Sequence, residues 1–212
     1  MSERIVLASG NAGKVRELAL LFNQPSLELV SMKELVPVAF EIDETGLTFA
    51  DNAWLKALRV CAATNLPALA DDSGLEVDAL AGRPGVHSAR YAGVGASDEA
   101  NNALLLRELS GVETALRTAR FVAVLTLAVP GPDGPLRVAQ ASGVLEGRIV
   151  EAPRGAGGFG YDVLFEASTE PGRTTAEVSL EQKNVISHRA QAARALVPAL
   201  VAFLKSRAST RL

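Results

Sequence analysis

The sequence predicts an α/β fold built on a mixed β-sheet. Short β-branched apolar runs recur along the chain, helix-spaced apolar segments fall between them, and two long strand-like runs flank a turn-rich segment. Strands that alternate with helices build parallel pairing, and a long hairpin adds antiparallel pairing to the same sheet.

Arg4 to Ala8 reads as a buried strand that breaks at Ser9-Gly10-Asn11. A helix follows from Lys14 to Phe22, with Val15, Leu18, Leu21 and Phe22 at helical spacing. Leu27 to Ser31 is a second strand. Thr48 with Asp51 has the form of a capping box and starts a helix that runs to about Ala63. Pro67 precedes a strand expected to end at Asp71-Asp72-Ser73-Gly74, where turn-forming residues replace apolar ones. Asp98 to Leu109 is an amphipathic helix capped by Ser97 or Asp98. Arg120 to Val129 and Leu136 to Leu145 flank Pro130-Gly-Pro-Asp-Gly-Pro135 and read as an antiparallel hairpin. Tyr161 to Phe165 is a further strand. Ser187 caps a last helix to about Ser206, with Pro198 inside it.

The chain of 212 residues fits a single domain and is long enough to bury a sizeable core. Its net charge of −3, with Lys and Arg scattered among acids, argues against binding a nucleic acid polymer. Cys61 is the only cysteine, so no disulfide framework or thiolate zinc cluster is expected. The longest apolar stretch, Ala195 to Leu204, is short and interrupted by Pro198, and the amino terminus lacks a signal-peptide pattern. A cytoplasmic protein without a membrane segment is the expectation.

Two adjacent carboxylates, Asp71 and Asp72, are tolerated best where a cation or several donors neutralise them, and a hard ion such as Mg²⁺ is the natural partner. A solvated turn is the other explanation. Glu41, Asp43 and Glu44 supply further carboxylates upstream. The junction Ser9-Gly10-Asn11-Ala12-Gly13-Lys14 offers flexible backbone, a helix amino terminus and a mobile positive charge, which together suit a phosphate. It is no Walker A loop, because two residues separate its glycines and Val15 follows the lysine. Asn52 and Lys56 share one helix face. Gly155 to Gly160 spells G-x-G-x-x-G, but it leads into an expected strand rather than a helix, so the dinucleotide reading fails. Displaying Phe159 and Tyr161, it suits a flat ring better. His188 and Arg189 fall in the first turn of the last helix, where cations oppose the dipole. A ligand carbonyl or a salt bridge elsewhere would explain them. With only His87 and His188 present, a Ser-His-Asp or Cys-His mechanism has few possible bases, and no pair of histidines has metal-ligand spacing, which disfavours zinc. Carboxylates, lysines, glycine loops and aromatics suit Mg²⁺-assisted phosphoryl or nucleotidyl chemistry.

Six collinear segments resemble the inosine triphosphate pyrophosphatase family, also called RdgB-like house-cleaning enzymes. They are residues 9–14, 44–53 (Glu-Thr-Gly-Leu-Thr-Phe-Ala-Asp-Asn-Ala), 70–75 (Ala-Asp-Asp-Ser-Gly-Leu), 82–93, 157–162 (Gly-Gly-Phe-Gly-Tyr-Asp) and 181–189 (Glu-Gln-Lys-Asn-Val-Ile-Ser-His-Arg). The resemblance implies an elongated mixed sheet with flanking helices, forming two lobes around a central cleft, and usually a homodimer. It implies Mg²⁺-dependent hydrolysis of ITP, dITP and XTP to the monophosphate and pyrophosphate. It further implies that the Ser9, Gly10, Asn11, Ala12, Gly13, Lys14 loop and Lys56 hold the triphosphate. Glu44 and Asp72 match the metal ligands, Asp72 the proton acceptor, and Ser73 a substrate contact. Phe159, Gly160, Tyr161, Asp162, Lys183, Ser187, His188 and Arg189 match the base pocket. Two positions depart from the pattern. Val163 stands where the family usually carries proline, and Gln182 where a Glu often precedes the lysine. The competing functions are a pyrophosphatase for modified pyrimidine or standard triphosphates, and a nucleotide sensor without turnover.

Overall fold

The structure, a computed structural model, describes residues 2–22, 24–37, 40 and 42–209. Its strands are β1 (Glu3–Leu7), β2 (Leu27–Ser31), β3 (Ala68–Val77), β4 (Thr118–Val129), β5 (Leu136–Ile149) and β6 (Phe165–Ala167). Its α-helices are α1 (Ala12–Leu21), α2 (Phe49–Thr64), α3 (Asp98–Glu108), α4 (Leu180–Ile186) and α5 (His188–Ser209). The strands pair in the order β2-β1-β3-β4-β5-β6. β1 runs parallel to β2 and β3, whereas β5 and β6 are antiparallel, so the expected mixed α/β sheet is present. The short connection between neighbours β4 and β5 admits only a hairpin, since parallel neighbours need a long crossover.

Each helix start has a local cause. Asn11 caps α1 by accepting from the Lys14 N–H at 3.1 Å. Thr48 caps α2 by accepting from the Asp51 N–H at 3.1 Å, as its spacing predicts, and Ser97 caps α3. α2 ends at Asn65, whose left-handed φ of 51° closes the helix.

The chain condenses into two compact units. The first comprises Met1–Asp72, Val124–Gly143 and Arg189–Leu212; the second comprises Ser73–Ala123 and Val144–His188. In the first, Val6, Ala8, Met32, Ala57, Val60, Cys61, Ala68 and Ala70 form a buried core. Cys61 is thus the small buried hydrophobe its neighbours predict. In the second, Leu75, Val77, Leu105, Leu109, Phe121, Leu145, Tyr161 and Phe165 form the core. Among the described residues, no helix is long and apolar enough to cross a membrane.

Two expectations need correction, and one helix was not anticipated. β3 does not end at Asp71-Asp72 but continues to Val77, with both acids buried. Successive strand residues face opposite sides, and each acid meets a cation of its own, so the pair does not break the strand. Tyr161 to Phe165 is not one strand: Gly160–Val163 is a single 3₁₀ turn, and β6 begins only at Phe165. The Asp162 carboxylate accepts the Phe159 N–H at 2.9 Å and turns the chain there, against the β-preference of Tyr, Val and Phe. That single turn still supplies no βα unit for a dinucleotide. Finally, α4 precedes the last helix, started by a Ser179–Gln182 capping box in which Gln182 does what a Glu would do.

Candidate functional site

The strand order fixes where a ligand belongs in the first unit. β1 leads through α1 to β2 on one side of it, and β2 leads through α2 to β3 on the other. Such a reversal opens a crevice beyond the carboxyl ends of parallel strands. β1 ends there in Ser9–Lys14. Its ladder with β3 stops at Leu69, where the Ala8 N–H donates to the Leu69 carbonyl at 2.9 Å. β3 runs on past the end of β1, carrying Asp71 and Asp72.

The cations converge on these acids from three helices. Lys14 Nζ of α1 lies 2.8 Å from Asp71 Oδ2. Arg189 Nε of α5 lies 3.5 Å from Asp71 Oδ1, and its guanidinium also pairs with Glu17 of α1. Lys56 Nζ of α2 lies 2.6 Å from Asp72 Oδ1 and 2.9 Å from Glu44 Oε1, bridging the two acids expected to hold metal. Asn52, one turn before Lys56, is fully buried and accepts the Gly46 N–H at 2.8 Å, which fixes the segment that brings in Glu44.

The charges settle accordingly. Burial opposes ionisation of Asp71, but the Arg189 and Lys14 charges outweigh it and hold its carboxyl below the usual range. Burial pushes Asp72 up, and the opposing pull of Lys56 and Lys14 does not cancel it. Burial would lower Lys56, yet Asp72 and Glu44 raise it. Burial lowers Lys14, with the Lys56 and Arg189 charges acting in the same sense against the pull of Asp71. The cluster therefore combines fixed positive charge with one carboxylate whose proton affinity is raised.

A divalent cation fits this donor set. Asp72 Oδ2 is buried and has no hydrogen-bond partner among the described residues, as expected of an oxygen reserved for an ion or an ordered water. No group of three or more His, Cys, Asp or Glu gathers as a ready-made cage among the described residues. Mg²⁺ needs none, since it is held by one or two carboxylates and completes its shell with water and phosphate oxygens. Glu41 lies outside the described residues.

The second unit holds the other expected set. Asp162, 2 % exposed, accepts from Lys183 Nζ at 2.6 Å and from Thr175 Oγ1 at 2.8 Å, besides the Phe159 N–H. Lys183 Nζ also stands 5.0 Å from the Phe159 ring centroid. Tyr161 is buried and donates to the Ser88 carbonyl. Ser187 and His188 are buried, and the His188 ring stacks on Phe121 at 4.9 Å. Only glycine fits at 158, because a Cβ there would stand 2.1 Å from Asp162 Oδ2. Arg189, next in the chain to His188, pairs with Asp71 and Glu17 of the first unit. Gln182 is exposed.

Comparison with known proteins identifies the family. A model of the Ham1 family matches residues 5–199. The chain belongs to the Ham1 family. A dITP/XTP pyrophosphatase of Geobacillus kaustophilus is 53% identical over 190 residues, covering 90% of each chain. One from Escherichia coli O157:H7 is 48% identical over 198 residues, covering 93% of this chain and 98% of that one. A HAM1 protein from Coxiella burnetii superposes with a TM-score of 0.82 at 40% identity, covering 94% of this chain and 98% of that one. The Staphylococcus aureus Ham1 protein does so with a TM-score of 0.78 at 41% identity, covering 97% and 100%. The family resemblance drawn from the six motifs is thereby borne out.

Sequence reasoning missed several residues of this Ham1-family chain. Glu17 lies on a helix whose other buried residue is Leu18, and being the one acid of that helix was its only signal. Asn101 and Asn102 of α3 carried no sequence signal, yet they are 3% and 6% exposed. Asn101 holds the Ala89 carbonyl and the Ala92 N–H, so its amide is satisfied by backbone rather than water.

Proposed function

We propose that this Ham1-family protein is a pyrophosphatase that hydrolyses ITP, dITP and XTP to the monophosphate and pyrophosphate, removing deaminated purines from the nucleotide pool. One observation carries the reading: Asp72 is buried among lysines with an oxygen left for an ion. The names of its relatives support the substrate class.

In this reading the Ser9–Gly13 loop, the N–H groups at the start of α1, Lys14 and Lys56 neutralise the triphosphate. Glu44 and Asp72 hold Mg²⁺, which when bound would draw charge from the phosphate oxygens. Asp72, with its raised proton affinity, takes the proton of the attacking water, and Ser73 contacts the substrate. Phe159, Gly160, Tyr161 and Asp162 form the base pocket with Lys183, Ser187 and His188. A donor from this set facing the purine 6-position favours a keto oxygen over an amino group, since donor facing donor leaves both unsatisfied. Arg189 holds Asp71 in place and, beside His188, remains in the expected base-reading set. The enzyme works as a homodimer in the cytoplasm, in keeping with the family pattern and with no partner beyond its nucleotide substrate.

Pyrophosphate release from ITP, dITP, XTP, ATP and dUTP tests the reading. The three deaminated purines should lead, and loss of all turnover on chelation is expected. Glu44→Gln should raise the Mg²⁺ concentration for half-maximal rate about tenfold or more, since changing even a residue that only supports a ligand costs about 10–100-fold in metal affinity. A preference for ATP or dUTP, or a Glu44→Gln enzyme with an unchanged metal requirement, would contradict these assignments.

A further inference from the structure

α3 presents two side chains one turn apart, Asp98 and Asn102, to a single residue of the glycine-rich loop. The Gly160 N–H donates to Asp98 Oδ2 at 2.6 Å, and Asn102 Nδ2 donates to the Gly160 carbonyl at 3.0 Å. Gly160 has a φ of 61°, a left-handed conformation that needs holding wherever the chain has alternatives. The Gly160 N–H belongs to the peptide that follows Phe159. The peptide that precedes Phe159 is held by the Asp162 carboxylate at 2.9 Å. Phe159 is therefore pinned on both sides while its ring stays half-buried beside Lys183.

We propose that Asp98 and Asn102 are positioning residues for the base pocket: they clamp Gly160 so that Phe159 presents its ring at a fixed place to the purine. The proposal rests on the pyrophosphatase reading and adds two residues that no motif marked. Chain geometry makes the pair effective, because residues four apart share a helix face and reach the two sides of one glycine. Asn102 is 6% exposed, and burying an amide costs stability unless it is used. Its Oδ1 finds no partner among the described residues, so the side chain is kept there for its single donor bond to the loop. Asp98, Asn102 and Gly160 also line a groove of about 450 Å³ together with Leu106, Phe159 and Val163.

Base-containing and base-free ligands separate this role from a general loosening of the fold. Asp98→Ala and Asn102→Ala should raise KM for ITP about fivefold to tenfold, the effect of one lost hydrogen bond, with kcat within about twofold. Inhibition by inorganic tripolyphosphate, which has no base, should be unchanged. Asp98→Asn should retain the wild-type KM, because its amide oxygen still accepts the Gly160 N–H. Should Asn102→Ala fail to fold, Asp98→Ala, at an exposed helix start, decides alone. An active wild type whose KM for ITP ignores Asp98→Ala overturns the proposal, as does an equal weakening of tripolyphosphate. A wild type that does not hydrolyse ITP overturns the pyrophosphatase reading itself.

Discussion

Asp72→Asn is expected to lower kcat for ITP on the order of 10³-fold while leaving the fold intact. The amide keeps the shape and the oxygen that Lys56 contacts, so β3 and α2 stay joined. It loses the charge that an ion needs and the basicity that accepts a proton, and a positioned general base alone is worth about 10²–10⁴-fold. Burial raises the proton affinity of Asp72, which brings the base nearer to working pH and makes its loss the costlier. Steady-state rates with circular dichroism on the same sample check this. A folded Asp72→Asn enzyme with near wild-type kcat would remove both proposed roles.

Asp71→Asn should act on stability instead. Its carboxylate is buried and neutralises Lys14 and Arg189 together, so the variant leaves two buried cations short of a partner. Removing one member of a buried charge pair costs about 3–5 kcal/mol. For a chain of this size that corresponds to a Tm lower by on the order of 10 °C at pH 7. The pH dependence follows from the direction of the shift. The folded-state pKa of Asp71 lies below its unfolded value of about 3.9, so its stabilisation is full above that value and fades as pH falls toward the folded pKa. The deficit of Asp71→Asn should therefore narrow below about pH 4 in urea unfolding. A deficit that stays constant from pH 7 to pH 3 would show that Asp71 does not act through its charge.

The parts of this fold legible in the sequence are those fixed by local chemistry. Thr48 with Asp51, Ser97 before Asp98, and the Pro-Gly turn between β4 and β5 each act within a few residues, and the structure follows them. Asp71 and Asp72 misled because their strand depends on cations from α1, α2 and α5, which no local pattern supplies. The Glu17–Arg189 pair joins residues 172 positions apart. Arg189 was legible only as a cation that opposes a helix dipole and so needs an explanation; a salt bridge provides it. Tyr161 to Phe165 misled in the other direction: its side chains favour a strand, but the carboxylate of Asp162 caps a turn. Asn102 was silent, since a buried Asn is recognisable only from the peptide it serves.

The central claim, hydrolysis between the α and β phosphates by the Asp71–Asp72 cluster, is tested most directly by the products of ITP in Mg²⁺. Separation of the early products by anion exchange should show inosine monophosphate and pyrophosphate in equal amounts from the first turnovers. Inosine diphosphate with inorganic phosphate as the first products would contradict it.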